Sequence, residues 1–217
     1  MRIRESLENC SGEGTNDVLT PNLYWIQDGV IMRSRITEIY RFKVALKGRR
    51  RIWRRIEIRG DQTLADLDRI IRIAFNHDLW DHLGEFYSGK TWYRSGYGEI
   101  NPDGEGEGAK IPVASIGLQE GDRIGYVYDF GSEIHHYVTL ESISKNADPA
   151  ARYPLIVSQN HPTYKYCVKC AASGKKNVAT QICLDCSSEH RSEPEYLCED
   201  CGYADKHEEH FLEEIVY

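Results

Sequence analysis

The sequence predicts an α+β protein: a mixed or antiparallel sheet with a helix packed on one face, followed by a small zinc-stapled C-terminal module. Three observations predict it. Two stretches of alternating hydrophobicity meet at a basic turn between residues 40 and 59. One amphipathic stretch follows over residues 64–75. The last 51 residues then carry four pairs of cysteine or histidine, each with two residues between its members.

Residues 1–35 are read as a loosely ordered leader, with a polar stretch from Ser11 to Asp17 and a short apolar segment from Leu23 to Ile26. No apolar run there suits a secretion signal, and none in the chain is long enough to cross a bilayer. A cytoplasmic location without membrane contact is therefore expected. Thiols stay reduced in that compartment, and Cys-x2-Cys pairs bind metal there rather than form disulfides. Six of the seven cysteines belong to such pairs, and Cys10 is left as a spare thiol in the leader.

The main domain is placed at residues 36–157. Tyr40, Phe42, Val44 and Leu46 alternate with Arg41, Lys43 and Lys47, the period of a strand with one buried face. After a turn at Lys47-Gly48-Arg49-Arg50, Ile52, Ile56 and Ile58 alternate with Trp53, Arg55, Glu57 and Arg59, completing a hairpin. Arg54 breaks the buried face and is expected near an edge. Thr63 is suited to cap a helix, with Asp66 three residues on. Leu64, Leu67, Ile70, Ile71, Ala74 and Phe75 share one helical face, and Asp68 and Arg72 are placed one turn apart on the other. Further strands are expected at 83–87, 90–94, 123–129 and 136–143. The glycine-rich segment 96–108 reads as a loop, 112–118 as a brief helix or turn, and 153–157 as an extended lead into the tail.

Charge is unevenly distributed over a chain of net −7. Residues 33–59 hold eleven Lys or Arg against two Glu, or +9. Residues 167–217 hold five Lys or Arg against eleven Asp or Glu, or −6. A tail this acidic repels a phosphate backbone, unlike zinc fingers that read DNA.

The ligand pairs are Cys167/Cys170, Cys183/Cys186, Cys198/Cys201 and His207/His210, enough for two tetrahedral zinc ions. The two-zinc module is placed at residues 158–217. Its few large apolar residues cannot offset its chain entropy, so metal binding and folding are expected to be one event. Four protein ligands per ion leave no position for an activated water, which points to structural rather than catalytic zinc. Phe211–Tyr217 is expected to form a last strand, docked on the main domain or paired within the module.

The segments Tyr40-Arg-Phe-Lys-Val-Ala-Leu, Arg51-Ile-Trp-Arg-Arg-Ile-Glu-Ile and Thr63-Leu-Ala-Asp-Leu resemble the plasmid pRiA4b ORF-3-like family. So do Tyr126-Val-Tyr-Asp-Phe-Gly-Ser132, His136 and Leu140-Glu141. The likeness spans roughly residues 37–145 and implies an α+β sheet domain without supplying a mechanism. The tail separately resembles cross-braced zinc modules of the ZZ and B-box type. That likeness implies Cys167, Cys170, Cys198 and Cys201 on one ion, with Cys183, Cys186, His207 and His210 on the other. The 11-residue gap between Cys186 and Cys198 is long for a ZZ module, so sequential pairing stays open, as does His190 in place of a terminal histidine.

Two further groups bear on function. His77, Asp78, Asp81, His82 and Glu85 follow the helix, while Asp129, Glu133, His135 and His136 surround the Tyr-Asp-Phe-Gly segment. A His82–Asp129–His136 constellation would suit metal binding or acid–base work, against the simpler reading that these residues fix loops. The nucleotide-binding, kinase and zinc-deaminase signatures are absent, since segment 96–108 has no Gly-Lys-Ser/Thr and the Asp-Phe-Gly has no accompanying catalytic loop. The basic hairpin carries Arg41, Lys43, Arg49, Arg50, Arg51, Trp53 and Arg55, a face suited to nucleic acid, an acidic protein or the chain's own tail. The sequence therefore reads as a non-enzymatic zinc-containing adapter that binds a protein or nucleic acid through this hairpin. A metal-assisted hydrolase is the alternative.

Overall fold

The structure, a computed structural model, describes residues 24–27, 30–33, 38–148, 150–189, 194–204, 207 and 209–217. Cys10, His190 and most of the expected leader lie outside the described residues. The chain forms two compact units, residues 1–36 and 37–217. In the first, β1 (Tyr24–Gln27) and β2 (Val30–Arg33) pair as an antiparallel hairpin.

In the second unit, β3 (Ile39–Leu46) and β4 (Trp53–Arg59) form the expected hairpin. Helix α1 (Leu64–Phe75) follows, then β5 (Gly84–Tyr87), a single turn α2 (Trp92–Ser95) and β6 (Gly96–Ile100). A 3-10 turn at Val113–Ile116 precedes β7 (Arg123–Tyr128), β8 (Ile134–Ser144) and β9 (Leu155–Gln159). The seven strands run β6-β5-β7-β8-β3-β4-β9, and every neighbouring pair is antiparallel. The α+β class is as the hydrophobic periods require.

One face of this sheet buries Tyr40, Phe42, Val44, Ile56, Ile58, Phe86, Tyr126, Val138 and Leu140 against Leu64, Leu67, Ile71 and Phe75 of α1. Each fully buried side chain of this size contributes about 1.5–3 kcal/mol. The helix begins with a reciprocal capping box: the Asp66 N–H donates to Thr63 Oγ1 at 3.3 Å, and the Thr63 N–H donates to Asp66 Oδ2 at 2.9 Å. It ends at Asn76, whose φ of 56° is the left-handed conformation that Asn tolerates.

Three local expectations are corrected. Residues 90–94 are not a strand. The Ser95 hydroxyl donates to the Thr91 carbonyl at 2.9 Å, closing a helical turn, and Trp92 stacks on Phe130 at 4.4 Å. The strand lies instead at Gly96–Ile100, at the start of the segment read as loop, anchored by the fully buried Ile100.

Asp68 and Arg72 are not on a solvent face. Both are buried, joined at 2.7 Å, and covered by the loop after the helix. Arg72 Nη1 donates to the carbonyls of Asp81 and His82 at 3.0 and 3.1 Å, and Tyr126 donates to Asp68 at 2.6 Å. Gly84 lets β5 pass close by, because a Cβ there would collide with Asp68 and the Tyr126 hydroxyl.

Arg54 is not at a sheet edge. It pairs with Val44 on one side and Gln159 on the other, and it is 6% exposed. Its guanidinium lies over the Phe75 ring and donates to the Trp53 and Ala74 carbonyls, to Asn160 Oδ1 and to a main-chain oxygen of Tyr217, so protein oxygens replace the water a buried charge loses.

The C-terminal region contains α3 (Val168–Ala172), β10 (Gln181–Cys183), α4 (Leu184–Glu189), β11 (Glu195–Leu197), α5 (Glu199–Gly202) and β12 (Leu212–Glu214). Its small antiparallel sheet runs β11-β10-β12. The last strand therefore pairs within this module, while Val216 packs against the main core. Among the described residues, no helix is long and apolar enough to cross a membrane.

Candidate metal centres and basic hairpin

Each cysteine pair sits where a strand or loop enters a short helix, which brings both sulfurs of the pair to one end of a turn. Cys167 precedes α3, and its sulfur accepts from the Cys170 N–H at 3.5 Å. Cys183 ends β10, and its sulfur accepts from the Cys186 N–H at 3.4 Å. Cys198 precedes α5. The β10–β12 pairing sets Cys183 opposite Leu212 and so near His210, while the Tyr166–Val178 bridge and the Thr180–Leu197 hydrogen bond carry the Cys167 pair toward the Cys198 pair.

Cys167, Cys170, Cys198 and Cys201 form one cluster, and Cys183, Cys186, His207 and His210 form the other. Within each, the ligand atoms lie within 4.8 Å of one another. Cys170 Sγ is 3.7 Å from the sulfurs of both Cys198 and Cys201. Tetrahedral zinc with Zn–S bonds of about 2.3 Å holds its sulfurs about 3.8 Å apart. In the second cluster, His210 Nδ1 is 3.3 and 3.4 Å from the sulfurs of Cys183 and Cys186, and His207 Nδ1 is 3.7 Å from Cys186. A mixed sulfur–nitrogen tetrahedron requires about 3.6 Å. All six cysteines are free thiols. Both clusters could hold a metal ion, and their donor chemistry fits one of zinc character.

The surroundings act unevenly on the thiols: burial, followed by neighbouring sulfurs, pushes Cys186 and Cys201 up to about 12. Burial works to raise the Cys167 thiol, but donation from the Cys170 and Cys198 backbone brings it down to about 7. The sequence reading missed Glu195. Its carboxylate, part-buried on β11, is 2.8 Å from Lys169 Nζ and 3.9 Å from His207 Nε2. At 3.9 Å this carboxylate is beyond hydrogen-bond distance of the ring and acts on it through its charge. The acid's position on β11, opposite Cys183, is set only by strand pairing.

The expected His82–Asp129–His136 constellation is not gathered at one point. His82 Nδ1 is 3.5 Å from Asp129, but His136 is fully buried on the core face of β8 and meets His77 instead, Nε2 to Nε2 at 3.1 Å. The Tyr128 ring stacks on His77 at 4.3 Å and contacts His82 edge-on at 5.7 Å. Burial, followed by the Arg72 charge, lowers His77 to about 4. Burial and His77 hold His136 well below its ordinary value. The nearby acids serve turns: Asp78 accepts from the Trp80 and Asp81 N–H groups at 2.6 and 3.0 Å, and Asp129 from Gly131 at 3.0 Å. Glu85 accepts from the Gly98 N–H at 3.1 Å, and His135 lies 3.1 Å from the Tyr87 hydroxyl and 3.4 Å from Glu133.

The basic hairpin projects Arg41, Lys43, Trp53 and Arg55 from one face, as expected. Lys43 and Arg55 lie over the Trp53 ring at 5.1 and 4.7 Å. Much of this charge is balanced by Arg41–Glu57, Arg55–Glu141 at 2.7 Å and Arg59–Asp61 at 2.9 Å. At the turn, Arg49 reaches Glu213 of β12 at 3.5 Å, joining hairpin to tail, while Arg50 lies over Tyr137. Arg51 is exposed and has no hydrogen-bond or ion-pair partner among the described residues.

A seven-stranded antiparallel sheet with one capped helix, continued by a module with two four-ligand clusters, defines the class of this protein. The family described as "Plasmid pRiA4b ORF-3-like protein" matches residues 38–163, more than half of the chain, and the chain belongs to that family. A crystal structure of a protein of unknown function from Methanosarcina mazei Go1 is similar at 26% identity. That likeness covers 57% of this chain and 69% of that one, with a TM-score of 0.47. No curated protein matches the chain.

Proposed function

We propose that this protein is a non-enzymatic adapter whose C-terminal module is held by two structural zinc ions and whose partner, a protein or nucleic acid, binds at the basic hairpin turn. The observation that carries the reading is the closure of both clusters by four protein ligands each, which leaves no coordination position for substrate or water. The hairpin turn supports the binding role. Arg49, Arg50 and Arg51 stand beside the module, Arg49 reaching Glu213, and much of the charge on the face behind them is paired, so Arg50 and Arg51 of the turn are cations without an ion-pair partner among the described residues.

The test is affinity capture with the zinc-loaded chain, identifying recovered proteins by mass spectrometry and quantifying recovered nucleic acid. The variant Arg49→Glu, Arg50→Glu, Arg51→Glu should lose most of what the parent chain recovers while keeping two ions per chain. Equal recovery by both would end the hairpin's role.

A further inference from the structure

A groove of about 780 Å³ lies between the hairpin turn, the segment after β9 and the C-terminal module. Its volume is within the usual range of about 300–1,000 Å³ for ligand sites. Its chemistry is one-sided. Arg49, Arg50, Arg51 and Lys165 line it, together with His161, and among the described residues no aspartate or glutamate does. In a chain of net −7, with residues 167–217 at −6, that separation is a local reversal of sign. Of the four cations, only Arg49 has a carboxylate partner among the described residues, Glu213 at 3.5 Å. Lys165 lies over the Tyr196 ring at 5.3 Å and Arg50 over Tyr137 at 5.1 Å, so neither is committed to an anion. The remaining lining is largely apolar, chiefly Ile182, Ile215, Val216 and Tyr196, with Asn160 and Thr163 as polar neighbours.

We infer that this groove binds a short acidic peptide carrying one apolar side chain. Its carboxylates meet Arg50, Arg51 and Lys165, and its apolar group seats against Ile182, Ile215 and Val216. Guanidinium groups engage carboxylates with two parallel hydrogen bonds, and Tyr196 offers a rigid surface at low entropic cost. A nucleic acid fits less well. Its continuous phosphate backbone would leave the groove across the C-terminal module, where residues 167–217 carry a net charge of −6 that repels it. A peptide of a few residues ends before reaching that wall. This inference rests on the hairpin-turn reading above and names the occupant of that site.

The experiment uses the zinc-loaded full chain and fluorescence anisotropy. The probe is a dye-labelled pentapeptide with two glutamates on each side of a leucine. Binding should weaken at least tenfold with Arg51→Glu and with Lys165→Glu, each retaining two metal ions and the parent near-ultraviolet circular dichroism. Replacing the glutamates by glutamine should weaken binding by a similar factor, and replacing the leucine by serine should also weaken it measurably. The inference is overturned if the acidic peptide does not bind, if the glutamine peptide binds equally well, or if Lys165→Glu changes nothing. It is also overturned if a labelled oligothymidine strand binds more tightly and is lost with the same substitutions. Lys165 lies outside the hairpin, so the two readings separate. Partner capture that depends on Arg49–Arg51 without peptide binding removes the occupant named here and leaves the hairpin's role standing.

Discussion

Arg54 donates from Nη2 to the main-chain oxygen of Tyr217 at 2.6 Å, across 163 residues of sequence. The same guanidinium donates from Nε to the Ala74 carbonyl at the end of α1, at 2.9 Å, and from Nη1 to Asn160 Oδ1 at 2.7 Å. One buried cation thus ties strand, helix, linker and tail. Burial lowers the pKa of this guanidinium, yet arginine stays charged, so its hydrogen bonds must offset the loss of water.

Arg54→Met should therefore destabilise the chain by about 2–4 kcal/mol, measured by urea unfolding with zinc held constant. Limited proteolysis should also cut the tail faster. A loss below about 1 kcal/mol would show that the clamp contributes little.

The two clusters predict a spectroscopic assignment of the wiring. With cobalt in place of zinc, an all-sulfur site and a two-sulfur, two-nitrogen site give distinct ligand-field spectra. Cys198→Ser should alter the all-sulfur spectrum and leave the mixed one intact, because Cys198 joins Cys167 and Cys170. Sequential pairing predicts the opposite, since Cys198 would then sit with the histidines. Chelation of the parent chain should release two ions and unfold the module together.

The buried Asp68–Arg72 pair should be costly to break and cheap to remove. Burial pushes the Asp68 carboxyl up while Arg72 pulls it down. Arg72→Met strands that acid and should cost about 3–5 kcal/mol. Adding Asp68→Leu should recover part of the loss, as a double-mutant cycle by chemical denaturation would reveal. Additive losses would mean that the pair does not act as a unit.

The His77–His136 contact predicts acid sensitivity. Native His77 stays neutral down to about pH 4, whereas a histidine in the unfolded chain takes up its proton near its ordinary value of 6.5. Between those values the unfolded state binds more protons, so stability falls as pH drops through this window, by up to about 3 kcal/mol. Thiolate protonation acts in the same direction, so the comparison must be between chains of equal zinc loading. His77→Gln should flatten the profile in urea titrations, and an unchanged profile would dismiss the histidine's part.

Much of this was legible in sequence. The hairpin, α1 with its Thr63 cap and the four ligand pairs are local patterns, each set by residues within one or two turns of each other. Residues 90–94 were misread because Trp92 and Tyr93 favour strands in general, while the helical turn there depends on Phe130 stacking from a distant loop. His136 was placed in a candidate site because its chemistry is versatile. Strand alternation with Val138 and Leu140 would have placed it inside.

The sequence by itself determined the α+β class, the order of most elements and the identity of the eight candidate ligands, because periodicity and pair spacing act along the chain. Only the tertiary structure decided which ligand pairs come together, that Glu195 approaches His207, and that Arg54, Asp68 and Arg72 lie inside. Whether a charge is buried, and what satisfies it there, depends on which distant segments cover it. That information resides in strand pairing and packing rather than in the spacing of neighbours.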